Sequence, residues 1–122
     1  PNVKVAPPQS RLKRLAASAP GLFRDADVLA LPTAIITPPP LAGLDDPERY
    51  GRVNEAALRP TSPASVLGLC AVTLPVGFDA AGMPVGLQLV APGGQDELAL
   101  AAALAAERAL GGLAATAPAG AD

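Results

Sequence analysis

Thr61-Ser62-Pro63-Ala64-Ser65-Val66-Leu67-Gly68-Leu69, then Cys70-Ala71-Val72-Thr73-Leu74-Pro75-Val76-Gly77-Phe78, then Val85-Gly86-Leu87-Gln88-Leu89-Val90, is the stretch whose reading decides the architecture. Hydroxyl residues ahead of Pro63 form a cap-plus-proline start, which predicts a helix of about one or two turns ending at Gly68. The run from Cys70 to Phe78 is rich in β-branched residues and reads as a strand. Asp79-Ala80-Ala81-Gly82 supplies turn chemistry, and Val85 to Val90 reads as a second strand, so the pair is expected to form a β-hairpin.

Working outward, Asp27-Val28-Leu29-Ala30-Leu31-Pro32 is a short continuous apolar run closed by proline, the pattern of a strand buried on both faces. Residues 33–44 form a proline-broken loop around Pro38-Pro39-Pro40. Asp45, with Glu48 three residues on and Pro47 near the first turn, predicts a capped helix from Pro47 to Leu58, stopped by Pro60. Tyr50, Val53, Ala57 and Leu58 fall on or near one side of it. From Ser10 onward, Leu12, Leu15, Ala19 and Leu22 recur at helical steps, and Pro20-Gly21 should divide that helix. Beyond Gly93-Gly94, an Ala/Leu-rich helix is expected from Asp96 to Leu110, stopping at Gly111-Gly112. Residues 113–122 read as a flexible tail. Only three strands are credible, and the first lies far from the hairpin, so the sequence behaves like one side of a larger sheet with exposed strand edges.

Composition removes much chemistry. The chain has 122 residues, nine basic against eleven acidic, and a net charge of −2. It has no His, so imidazole metal sites and Ser–His or Cys–His pairs are excluded. Cys70 is the only cysteine, which permits neither an internal disulfide nor a Cys-rich zinc site. With 2% aromatic residues and a mildly acidic balance, the chain lacks the positive field and stacking platforms of a nucleic-acid binder. No segment reaches the roughly 18 apolar residues of a membrane span. These features point to a cytoplasmic chain that binds neither nucleic acid nor membrane and calls for no cofactor or metal. It opens at Pro1 without a charged-then-apolar signal, like the continuation of something begun earlier.

The ordered set at 61–91, with Leu74-Pro75-Val76-Gly77 closing one strand and Gly82-Met83-Pro84-Val85-Gly86-Leu87-Gln88-Leu89 forming the next, resembles the C-terminal part of the amidase signature enzymes. Asp27 to Thr33 is similar to that family's buried strand ending in Pro-Thr, and the resemblance runs from Arg11 to Leu110. It implies an α/β fold, here a partial mixed sheet flanked by helices. Residues 1–112 would be the C-terminal segment of an amidase domain, incomplete without an N-terminal part. It further implies hydrolysis of a carboxylic amide to carboxylate and ammonia, by a nucleophilic serine, a second serine joined through a cis peptide bond, and a lysine general base. Those groups lie N-terminal to this region in the family. Lys4 and Lys13 are the only lysines, and neither has a serine- and glycine-rich neighbourhood. No catalytic residue is therefore carried over, and the chain alone is expected to be inactive.

What the resemblance does carry over is cavity wall for a small-molecule amide. The segment ahead of the short helix, Pro60, Thr61 and Ser62, matches the part that faces the acyl channel, and the loop Thr33, Ala34 and Ile35 is the second candidate. Helix capping is the plainer reading of Thr61 and Ser62. Ser65 stands where the family commonly has Asn. Cys70 stands where it commonly has Pro and is expected to be a small buried hydrophobe. The branch that amidates transfer RNA tends to place an acidic residue shortly before the threonine, where this chain has Leu58 and Arg59; this tilts the reading toward a general amidase. Two alternatives stay open: a non-catalytic assembly domain that self-associates through its strand edges, and an amidotransferase A-type subunit. Arg11, Lys13 and Arg14 read as a solvated helix face. The acids Asp45, Asp46 and Glu48 read as a helix start rather than a metal site.

Overall fold

In the computed structural model, which describes residues 8–111, the elements follow the order α1 (Pro8–Ser18), β1 (Leu29–Pro32), α2 (Pro47–Leu58), α3 (Ser62–Leu67), β2 (Cys70–Phe78), β3 (Pro84–Ala91) and α4 (Asp96–Ala109). A short 3-10 turn over Ala19–Phe23 follows α1. The α/β class is borne out. The chain break expected at Pro20-Gly21 takes the form of this tighter turn, because proline fits the first positions of a helical segment but not its interior. α1 begins at Pro8, ahead of the expected Ser10. The tail expected over 113–122 lies outside the described residues.

The sheet has three strands in the order β1-β3-β2. β2 and β3 form the expected hairpin, with Thr73 opposite Gln88 and Leu74 opposite Leu87. Its turn is held by the Asp79 carboxylate, which accepts the N–H groups of Ala81 and Met83 at 2.9 Å each. A register shift between Pro75 and Gly77 leaves Val76 as the extra residue of a bulge. β1 adds antiparallel to the other side of β3, Leu29 opposite Val90 and Pro32 opposite Leu87. The expectation of a mixed sheet narrows accordingly: every pairing among the described residues is antiparallel.

β1 also corrects the sequence reading. The run Asp27 to Pro32 reads as buried on both faces, yet in the strand only Leu29 is half-buried, and Ala30, Leu31 and Pro32 are exposed. Among the described residues β1 has one strand neighbour and no helix that buries it, so its outer side stays exposed.

α4 lies against β2 and β3, burying Ala99 and Ala103. The alternation along β2 shows which face it covers. Cys70, Val72 and Leu74 are half-buried, whereas Ala71, Thr73 and Pro75 on the opposite face are exposed. Cys70, expected to be buried, is half-buried at the start of its strand. On that opposite face the outer-strand residues Leu31, Ala71 and Thr73 are exposed, while Gln88 and Val90 of the middle strand are buried.

Local capping departs from expectation in two places. α2 is capped by Asp46, whose side chain accepts the Glu48 N–H at 3.1 Å, not by Asp45. Pro47 takes the first helical position, so the residue before it must be the cap. Glu48 pairs with Arg52 at 3.8 Å on the exposed face of the helix. Thr61 occupies the cap position of α3 without a side-chain cap bond. Both hydroxyls turn backward instead, Thr61 donating to the Leu58 carbonyl at 3.2 Å and Ser62 to the same oxygen at 2.8 Å. They close the end of α2 and leave the start of α3 without a side-chain cap. α3 ends as expected at Gly68, in the left-handed conformation (φ 68°) that glycine adopts without a Cβ penalty.

Candidate functional site

β1 delivers Thr33 to the sheet one step past its own end. The Thr33 N–H donates to the Gly86 carbonyl at 2.9 Å, which extends the antiparallel ladder before the chain leaves the sheet. Its hydroxyl then reaches across β3 and donates to the Thr73 Oγ1 at 3.3 Å. β1 and β2 flank β3, so two side chains from the outer strands meet only where the middle strand offers none. Gly86 is that place. A Cβ there would sit 2.7 Å from the Thr33 Oγ1 and 3.2 Å from the Thr73 Cγ2.

Beyond this crossing the loop Ala34 to Thr37 folds over a cleft of about 550 Å3 whose walls include Thr33, Ala34, Ile35, Thr73, Pro75 and Gly86. Among the described residues its lining is apolar apart from the hydroxyls of Thr33, Thr37 and Thr73, and carries no charged side chain. Such a cavity can hold an apolar or neutral group and orient one polar atom of it. None of its described lining residues offers an amine, imidazole or carboxylate to take a proton from a nucleophile.

The expected site residues divide between two places. Thr33, Ala34 and Ile35 come together in this cleft. Ser62 lines a separate groove of about 590 Å3 between α2 and α3, with Leu58, Arg59 and Val66. Arg59 is held there by Glu55 at 3.3 Å, an exposed pair one helical turn apart. Pro60 and Thr61 line neither space. Sequence reasoning missed Thr73, Pro75 and Gly86 as wall residues. The available signal was Gly86, since a glycine inside a strand pattern often marks a close approach of another chain segment. Lys13, the one described lysine, stands exposed on α1, away from the lining of both spaces.

The family model described as Amidase matches residues 6–100. The chain belongs to the amidase family. It is 43% identical over 100 residues to the 2-amino-5-chloromuconic acid deaminase of Comamonas testosteroni, covering 82% of this chain and 22% of that enzyme. It is also 43% identical over 101 residues to the A-type subunit of the glutamyl-tRNA(Gln) amidotransferase of Thermus thermophilus, covering 83% of this chain and 20% of the relative. A crystal structure of an amidase superposes with a TM-score of 0.62 at 29% identity, over 81% of this chain and 24% of that one. The chain thus spans about a fifth to a quarter of the length of these amidase relatives. Among its described residues, no helix is long and apolar enough to cross a membrane.

Proposed function

We propose that this chain provides cavity wall and scaffold for an amidase that hydrolyses a carboxylic amide to carboxylate and ammonia, and that the nucleophilic serine, the second serine and the lysine base belong to the rest of that enzyme. The observation that carries the reading is the cleft at Thr33 in a chain of this family. It is shaped and apolar enough to receive an acyl group, and none of its described lining residues is able to activate a nucleophile. A lysine works as a base near neutral pH only when burial or neighbouring charge lowers its pKa. Lys13, the one described lysine, is exposed on α1 and lines neither the cleft nor the groove. Alone, the chain is expected to release no ammonia from simple aliphatic or aromatic amides. Measurable turnover by the purified 122-residue chain would overturn the assignment of the catalytic groups to another part.

A second reading, an amidotransferase A-type subunit, is favoured by the identity to the Thermus thermophilus protein, which equals that to the Comamonas testosteroni deaminase. Leu58 and Arg59 weigh against it. An aliphatic side chain such as Leu58 cannot pair with the amino group of glutamine. The general amidase remains the better reading. The cytoplasm fits it, and association with other copies through the exposed edges of β1 and β2 is part of the same proposal.

A further inference from the structure

We infer that the groove between α1 and α3 receives the outer ridge of α4 from a second copy of this chain. The groove has a volume of about 350 Å3, with Leu15 and Leu22 on one side and Pro63, Val66 and Leu67 on the other. Leu15, Leu22 and Val66 are each about half exposed. The helix beside them is basic: Arg11, Lys13 and Arg14 are exposed, and α1 holds no acid. None of the three cations has an ion-pair partner among the described residues. Arg11 stands one turn before Leu15, and Arg14 one turn before Ser18 of the lining, so positive charge borders the apolar slot.

α4 carries the counterpart. Ala99 and Ala103 are its buried residues, while Leu100 and Leu104 are 56% and 53% exposed. These two leucines lie one turn apart on the outer side, and Glu97 and Glu107 continue the same stripe three residues before and after them. Both glutamates are exposed and, among the described residues, without an ion-pair partner. With Asp96 they outweigh the single cation of the helix, Arg108. Groove and ridge therefore match in polarity and in sign. Amphipathic helices dock in apolar grooves through anchors at this spacing, and complementary charge selects the partner. Because the two patches differ, the contact is heterologous: each copy that docks leaves one groove and one ridge free unless a ring closes. This contact is separate from the strand edges and does not depend on the amidase reading.

The test uses two variants of the 122-residue chain, each lacking one half of the contact. Leu15→Gln/Leu22→Gln removes the groove wall and keeps the ridge; Leu100→Gln/Leu104→Gln removes the ridge and keeps the groove. One variant is labelled at its amino terminus, and fluorescence anisotropy follows its binding to itself and to the other. The mixed pair, which alone retains one intact groove and one intact ridge, is expected to bind at least about tenfold more tightly than either variant binds itself. Pairing through strand edges would be equal in all three combinations, and equal affinities overturn the inference. A second arm leaves the leucines of the contact alone. Arg11→Glu/Arg14→Glu in the groove-bearing copy should weaken the mixed pairing by about fivefold or more, and Glu97→Lys/Glu107→Lys in the ridge-bearing copy should restore it. Charge reversal without that recovery also overturns it.

Discussion

Gly86 lies under the point where the Thr33 and Thr73 hydroxyls meet, and the space it leaves is what allows β1 to be tied across β3 to β2. Its substitution tests how β1 is held. In Gly86→Ala the new methyl would press on the Thr33 side chain, and the outer end of β1 would have to move. Overpacking of this kind costs about 1–3 kcal/mol, read as a fall in the urea midpoint. Gly21 has nothing within 4 Å of where a methyl would stand. Gly21→Ala should therefore shift stability by no more than about 0.5 kcal/mol. Equal effects at the two positions would mean that the crossing contributes nothing. Sequence alone signals a close approach at Gly86; that Thr33 is the approaching residue depends on strand register, which no local pattern contains.

The ends of α2 show the same division at the scale of an element. Its span, Pro47–Leu58, follows from Pro47 at one end and Pro60 beyond the other, and the structure reproduces it. The cap itself shifts by one residue because Asp45 and Asp46 are both plausible from composition, and only the backbone geometry leaves Asp46 able to reach the Glu48 N–H. Asp46→Ala is therefore expected to cost about 1 kcal/mol of helix stability, and Asp45→Ala close to none; circular dichroism through a urea titration separates them. The reverse order would return the cap to Asp45. At the other end, Thr61 and Ser62 read as a start signal for α3, but their hydroxyls serve the last turn of α2 through the Leu58 carbonyl. A hydroxyl between two adjacent helices has acceptors on one side and donors on the other, and the sequence does not say which it will choose.

For the whole molecule, the deciding quantity is the size of the core. The buried hydrophobic residues among those described are Ala19, Ala64, Leu89, Val90, Ala91, Ala99 and Ala103, mostly alanines, and no large side chain is fully enclosed. Leu12, Leu15, Leu22, Leu100 and Leu104 are exposed instead. Burial at about 25 cal/mol per Å2 cannot offset much chain entropy when so little large apolar surface is covered. Exposed apolar patches and open strand edges invite association. We expect the isolated chain to associate as its concentration rises, through the edges of β1 and β2, with light scattering reporting a growing mean mass. A monodisperse monomer across a hundredfold range of about micromolar to submillimolar concentration would contradict this.

Helix and strand positions, the hairpin, the stop at Gly68 and the family resemblance were all determined by the sequence itself, because periodicity, caps, turn residues and ordered motifs act over a few neighbouring residues. The tertiary structure alone decided that β1 is an exposed edge strand, that Thr33 meets Thr73 over Gly86, that Ser62 lies in a different groove from Thr33, and that the Gln88 oxygen is enclosed with no donor among the described residues. Each of these depends on which distant segments lie side by side. Burial and cross-strand contact are properties of that arrangement, whereas the local signals fix only the pieces being arranged.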